Sequence, residues 1–247
     1  MRILRWQVFL GLGLIALSAM LYALHYAMFR DSHHIFIYLI GDIAFVPIEV
    51  LLVTLIIHRL LSQREKQGML DKMNMVIGAF FSAAGTGLLK KLSGFSPKPS
   101  CMDKNLIATA GWSEKDFKNA STCVKDIDHG LDSKRADLAE LRDFLSDRQD
   151  FMLRLLENPT LLEHDSFTDL LWAVFHLTEE LQARENLNDL PASDLEHLTG
   201  DMKRVYSQLI SEWLAYLKHL KGAYPFLYSL AVRTNPLNPE ASPVIRE

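Results

Sequence analysis

Cysteine is scarce: Cys101 and Cys123 are the two in a chain of 247 residues. Neither lies in a CxxC pair or in the spacing of a zinc site, so a disulfide scaffold and a cysteine-built metal centre are excluded. Two unpaired thiols in a reducing compartment are expected instead. A basic stripe is missing as well. The 26 Lys and Arg are outnumbered by 30 Asp and Glu, the net charge is -4 and the pI is about 6.1, which excludes a general nucleic-acid binder.

Reaction motifs are absent too. There is no HExxH, no GxSxG and no Cys-His nucleophile signature. The Glu-x-x-His pairs that a di-iron bundle requires do not occur. The run from Gly85 to Lys91, GTGLLKK, lacks the spacing of a phosphate-binding loop and follows no strand. Too little chain follows the apolar region for both a dimerisation helix pair and an ATP-binding domain, which excludes a sensor kinase. The chain therefore reads as a non-enzyme with no cofactor and no bound metal.

What is present is asymmetric. A mean hydropathy of +0.06 blends a very apolar first quarter with an ordinary charged remainder. Val8 to Phe29 reads VFLGLGLIALSAMLYALHYAMF, about the ~20 residues that cross a hydrocarbon core, with His25 as its only ionisable side chain. A secretory signal is the competing reading, since Arg2 and Arg5 precede the run and small residues occupy Ala16 to Ala19. The run exceeds the usual ~7–15 residue core of a signal, and a second apolar segment follows at once, so an anchor is expected.

That second segment, Ile35 to Leu61, is separated from the first by five residues, Arg30 to His34. So short a link forces an antiparallel hairpin. Arg2 and Arg5 precede it, Arg30 alone lies in the turn, and Arg59, Arg64, Lys66 and Lys72 follow it. The positive-inside rule then places both termini in the cytoplasm of a multi-pass inner or plasma membrane protein. Within this helix stand Asp42 and Glu49, seven residues apart, a spacing that drifts only ~20° around a helix and separates them by about 10 Å. Tyr38, Val53 and Ile56 share their stripe. Carboxylates at membrane depth usually face a bundle interior or a wet cavity. Pro47 lies between them, removes one backbone donor and predicts a kink or local opening. The acids are alternatively protonated, or paired with His25 or Tyr22 of the first helix, and merely structural.

Residues 62–93 begin charged and become apolar again, with no charge from Met73 to Leu89. This is short and rich in small residues for a third span, so an interfacial or helix-packing element is expected, with Gly78, Ser82, Ala83 and Gly87 allowing close approach. Arg59, Arg64, Lys66, Lys90 and Lys91 are candidates for contact with anionic headgroups. Residues 94–112 hold prolines and glycines and read as a linker.

From 113 to 233 the signals are helical throughout, giving an all-α chain: an N-terminal two-helix transmembrane hairpin (about 8–29 and 35–61) and a C-terminal cytoplasmic antiparallel helical bundle. Ser113 with Asp116 is a capping box opening a helix toward Ile127, and Ser133 opens a longer one that Asn158 and Pro159 end. A third helix starts near Ser166 with Asp169 in the capping position. Ser193 with Glu196 opens the fourth, and Pro225 fits the first turn of a last one. The Pro-rich tail 234–247 reads as extended or disordered. His164 beside Glu163 and Asp165, His176 four before Glu180, and Asp194 three before His197 are helix-face pairs that supply two metal ligands each at most, and are expected to be solvated or capping groups.

The leading expectation is a homo-oligomer in the lipid bilayer whose second helices surround a pathway for inorganic cations or protons, assembled or gated by the cytoplasmic bundle. The alternative is a membrane-anchored scaffold or signalling adaptor whose aromatic-rich bundle binds a cytosolic protein partner.

Overall fold

The computed structural model describes the backbone of residues 2–96, 106–125, 130–159, 161 and 164–245. Cys101, Glu163, Ile127 and residues 97–105 of the expected linker lie outside the described residues. The fold is all-helical. Two compact units divide at Lys66 and Gln67.

The first unit holds α1 (Arg2–Phe29) and the first part of α2 (Ser32–Phe80). Both helices are apolar and long enough to cross a membrane. The chain reverses at two residues. Arg30 adopts a left-handed backbone (φ 49°) with its N–H donating to the Tyr26 carbonyl at 2.9 Å, and the Asp31 carboxylate accepts from the His34 N–H at 3.2 Å. One closes a helix and the other caps the next. The local opening expected at Pro47 does not interrupt α2.

The second unit begins inside α2. Of the two roles expected for the uncharged segment from Met73 to Leu89, interfacial or helix-packing, its side chains take the helix-packing one within the second unit. Met73, Ile77, Phe80, Phe81, Ala84, Leu88, Leu89 and Leu92 are all buried. Phe80 meets Phe167 edge-on at 5.2 Å between ring centroids, and Phe81 stacks on Tyr216 at 5.4 Å and tilts against Trp213 at 5.1 Å. An apolar stripe already covered by protein has none left to bury in a bilayer. The small residues do permit close approach: a Cβ on Gly78 would sit 2.8 Å from the Tyr216 hydroxyl, and one on Gly87 would sit 2.9 Å from the Phe144 ring.

Between α2 and α3 (Thr86–Gly94) the helix widens into a π turn, Phe81–Gly85. Such a turn leaves carbonyls poorly served. The Thr86 hydroxyl donates to the Phe81 carbonyl at 2.8 Å, and Arg148 donates from Nε to the Ala83 carbonyl at 3.1 Å while its guanidinium lies 3.9 Å from the Phe144 ring centroid.

The expected capping box opens α4 (Glu114–Lys125): the Asp116 carboxylate accepts from Ser113 N–H at 2.6 Å, and Asp116 N–H donates back to Ser113 Oγ at 3.4 Å. The single helix expected over 133–158 is instead a 3₁₀ turn, Ser133–Arg135, then α5 (Leu138–Ser146) and α6 (Gln149–Leu156). Asp137 restarts the helix by accepting from Glu140 N–H at 2.8 Å, and Arg148, held on Ala83, marks the second break.

The long α7 (Asp165–Gln182) and α8 (Ala192–Ala223) form the centre, followed by α9 (Pro225–Arg233) with proline in its first turn as expected. His164, not Asp169, caps α7, its Nδ1 accepting from Phe167 N–H at 3.2 Å. Ser193 lies inside α8 and makes no cap; Pro191 precedes the helix. The start of the tail packs against the rest of the second unit, whereas Val244 and Ile245 are exposed. Asn235 is fully buried, Leu237 nearly so, and Ser242 N–H donates to the Arg233 carbonyl at 2.9 Å.

Candidate functional site

Asp42, Glu49, Pro47, Tyr38, Val53 and Ile56 all lie on α2, and Tyr22 and His25 on α1. Asp42 and Glu49 are exposed, and neither has a hydrogen-bond or ion-pair partner among the described residues. The pairing with His25 or Tyr22 considered from sequence is therefore not formed. Tyr38, Val53 and Ile56 are likewise exposed. Between α1 and α2 lies a cleft lined by Leu17, Leu21, Tyr22, His25, Ile35 and Tyr38 among others. His25 Nδ1 is buried there without a partner.

Of the cationic candidates, Arg59, Arg64 and Lys66 are exposed on α2. Lys90 and Lys91 lie on α3, in the second unit. Lys91 is engaged by Glu140 at 2.5 Å and sits 5.3 Å from the centre of the Phe144 ring, so its ammonium is committed to the protein.

The second unit builds a different constellation, where α7 and α8 run past each other. Each helix carries a histidine followed four residues later by an acid, His176 with Glu180 on α7 and His197 with Asp201 on α8. Residues i and i+4 share a face. The two faces meet, and the ladder of contacts is antiparallel: 184 pairs with 194, 180 with 197, and 176 with 201.

Pairwise distances bring four side chains together. His176 Nε2 lies 3.5 Å and His197 Nε2 3.4 Å from Asp201 Oδ2. Glu180 Oε1 is 3.8 Å from His176 Nε2, and its Oε2 is 3.6 Å from His197 Nε2. The Asp201 side chain is only 4% exposed, whereas the two histidines are about half open to solvent. Two arginines hold the acids from outside. Arg204 donates to Asp201 Oδ1 at 2.9 Å. Arg184 grips Asp194 with both prongs, at 2.7 and 2.6 Å, and Glu180 Oε2 at 2.7 Å. Those bonds from Arg184 hold the Glu180 and Asp194 carboxyls below the usual carboxylate range.

The sequence reading had His176, Glu180 and His197 in hand but paired His197 with Asp194. It missed Asp201, Arg184 and Arg204. The available signal was the repeated His-x-x-x-acid step on two helices joined by a short connection.

Comparison with known proteins covers nearly the whole chain. Residues 2–61 match the family model described as the MJ1433 N-terminal helical domain, and residues 69–233 match the one described as the C-terminal helical domain of uncharacterized protein MJ1433. The protein of that name from Methanocaldococcus jannaschii is 44% identical over 234 residues, which cover 95% of this chain and 94% of the relative. No solved structure matches the chain.

Proposed function

The chain belongs to the MJ1433 family, and we propose that it is an integral membrane protein that self-associates through α2, with Asp42 and Glu49 lining a polar pathway for cations or protons. The helical second unit lies on the cytoplasmic side with both termini and assembles or gates the ring; no enzymatic step is involved. One observation carries this reading: two acids on a single face of an apolar helix have no partner among the described residues of their own protomer. A carboxylate facing hydrocarbon is costly, of order 2.5–3.5 kcal/mol on insertion scales, so water in a pathway or a neighbouring copy must satisfy it. Pro47 between the acids leaves the Ile43 carbonyl without its usual helical donor, which adds a polar group to the same stretch.

Flux through the purified protein in liposomes tests this, comparing wild type with Asp42→Asn and Glu49→Gln at matched oligomer size. Flux that falls or changes selectivity in the variants supports the pathway. No flux under any gradient, from intact oligomers, sinks it.

An anchored scaffold is the second reading, favoured by the outer face of α9. Phe226 is 71% exposed there, with Leu227 and Leu230 also open to solvent. Exposed apolar side chains gathered on one short helix suit a protein partner.

A further inference from the structure

We propose that His176, Glu180, His197 and Asp201 form a binding site for a divalent transition-metal ion of the zinc class, bridging α7 and α8. This departs from the expectation of no metal drawn from the sequence, and it rests on the helical unit alone, independently of any pathway through α2.

The ligand set is chemically suitable. Two imidazole nitrogens and two carboxylate oxygens are donors that Zn²⁺ accepts in tetrahedral sites. With metal–ligand bonds of about 2.0–2.1 Å, neighbouring donors of a tetrahedron lie roughly 3.3–3.4 Å apart. The four imidazole–carboxylate separations are 3.4 and 3.5 Å to Asp201 Oδ2 and 3.6 and 3.8 Å to the two different oxygens of Glu180, so closing the set requires Glu180 to turn one oxygen toward both imidazoles. The ligand atoms of His176, Glu180 and His197 all fall within 4.8 Å of one another.

A second observation points to a ligand independently. Asp201 is almost wholly buried, and its Oδ2, the oxygen aimed at both imidazoles, has no hydrogen-bond partner. A buried carboxylate oxygen needs a donor or a cation. Arg204 serves only Oδ1. The two Nε2 atoms approach Oδ2 without making a hydrogen bond. An Nε2 without a proton turns its lone pair on Oδ2, and an Nε2–H at these positions is not aligned to donate to it. A metal ion at their meeting point satisfies all three groups.

The surroundings match what a metal site requires. Outer partners that fix the ligating carboxylates are present in Arg184 and Arg204. The half-exposed histidines give an ion access from solvent, while Asp201 closes the inner side.

The test uses the full-length chain in nanodiscs, stripped with chelator and titrated with Zn²⁺ by calorimetry and with Co²⁺ by visible absorption. One equivalent should bind, with the intense ligand-field bands of tetrahedral cobalt, and chelator should lower the melting temperature of the loaded protein. His176→Ala and His197→Ala should each weaken binding by more than the roughly 10–100-fold that losing an outer partner costs. His164→Ala, at the cap of α7, should bind as wild type does. Absence of stoichiometric binding overturns the proposal, as does binding that survives both ligand substitutions. Should the alanine variants fail to fold, the wild-type cobalt spectrum decides: octahedral, weak absorption refutes the site, and so does an unaltered spectrum in Asp201→Asn.

Discussion

Replacing Phe81 with alanine separates a core helix from a membrane-surface helix. Phe81 is 1% exposed and touches three other aromatic rings, Phe80, Trp213 and Tyr216, at 5.3, 5.1 and 5.4 Å between centroids. Deleting a buried phenylalanine costs about 3–5 kcal/mol through lost transfer energy and the cavity left behind. Loss of favourable ring geometry pushes the value toward the upper end. For a unit of this size each kcal/mol moves the melting temperature by about 2–4 °C, so a drop of roughly 6–20 °C is expected. The assay is thermal unfolding of the full chain in nanodiscs, followed by tryptophan fluorescence, since Trp213 is a direct neighbour and reports the local collapse. Were residues 73–92 lying on lipid, the change would weaken vesicle contact and leave the melting of the helical unit alone. A shift below ~2 °C, equivalent to under about 1 kcal/mol, refutes the placement of this segment in the core.

Glycines give a paired prediction. Gly87→Ala drives a methyl to within 2.9 Å of the Phe144 ring, itself covered by Arg148, and overpacking of this kind costs about 1–3 kcal/mol. Gly200→Ala, on an open face of α8 with nothing within 4 Å, should raise stability by roughly 0.5–1 kcal/mol through helix propensity. Denaturant midpoints of the two variants check both signs. Acid sensitivity gives another. Glu180 and Asp194 have carboxyls held low by Arg184, so the stability they add is present above ordinary carboxylate values of about 4 and is lost as pH falls through their depressed folded values. Arg184→Met should lower stability at neutral pH and flatten the acid limb of a pH titration of melting temperature. An acid limb as steep as wild type argues that other carboxylates carry it.

Much of the helical unit was legible because its signals are local. The Ser113 and Asp116 box, the proline in the first turn of α9 and the apolar periods of α7 and α8 are properties of single segments, readable at their own spacing. The errors came where tertiary contact decides. Residues 73–89 lack charge, which is equally true of a lipid-facing helix and of one buried in protein, and only the rings of Phe167, Trp213 and Tyr216 around Phe80 and Phe81 distinguish them. The 133–158 run keeps its period through Asp147 and Arg148, so nothing in it announces a break that depends on Arg148 reaching the π turn at Ala83. The tail reads as disordered by its prolines, yet Asn235 and Leu237 find cover.

The His–acid cluster was half legible for a related reason. His176 with Glu180 is visible as a helix-face pair, but which residues of α8 lie opposite depends on the register of two antiparallel helices. Arg184 sets that register. It leaves the end of α7 and forks onto Asp194 in the first turn of α8, a planar bidentate contact that lysine cannot reproduce. With 184 opposite 194, the antiparallel run brings 180 to 197 and 176 to 201, and the four donors converge. The same guanidinium also grips Glu180. One arginine outside the donor set therefore both aligns the helices and orients a donor, so in the titration above Arg184→Lys should weaken metal binding by about 10–100-fold while leaving all four donors in place. Unchanged affinity in that variant would mean that packing between α7 and α8, rather than Arg184, holds the register.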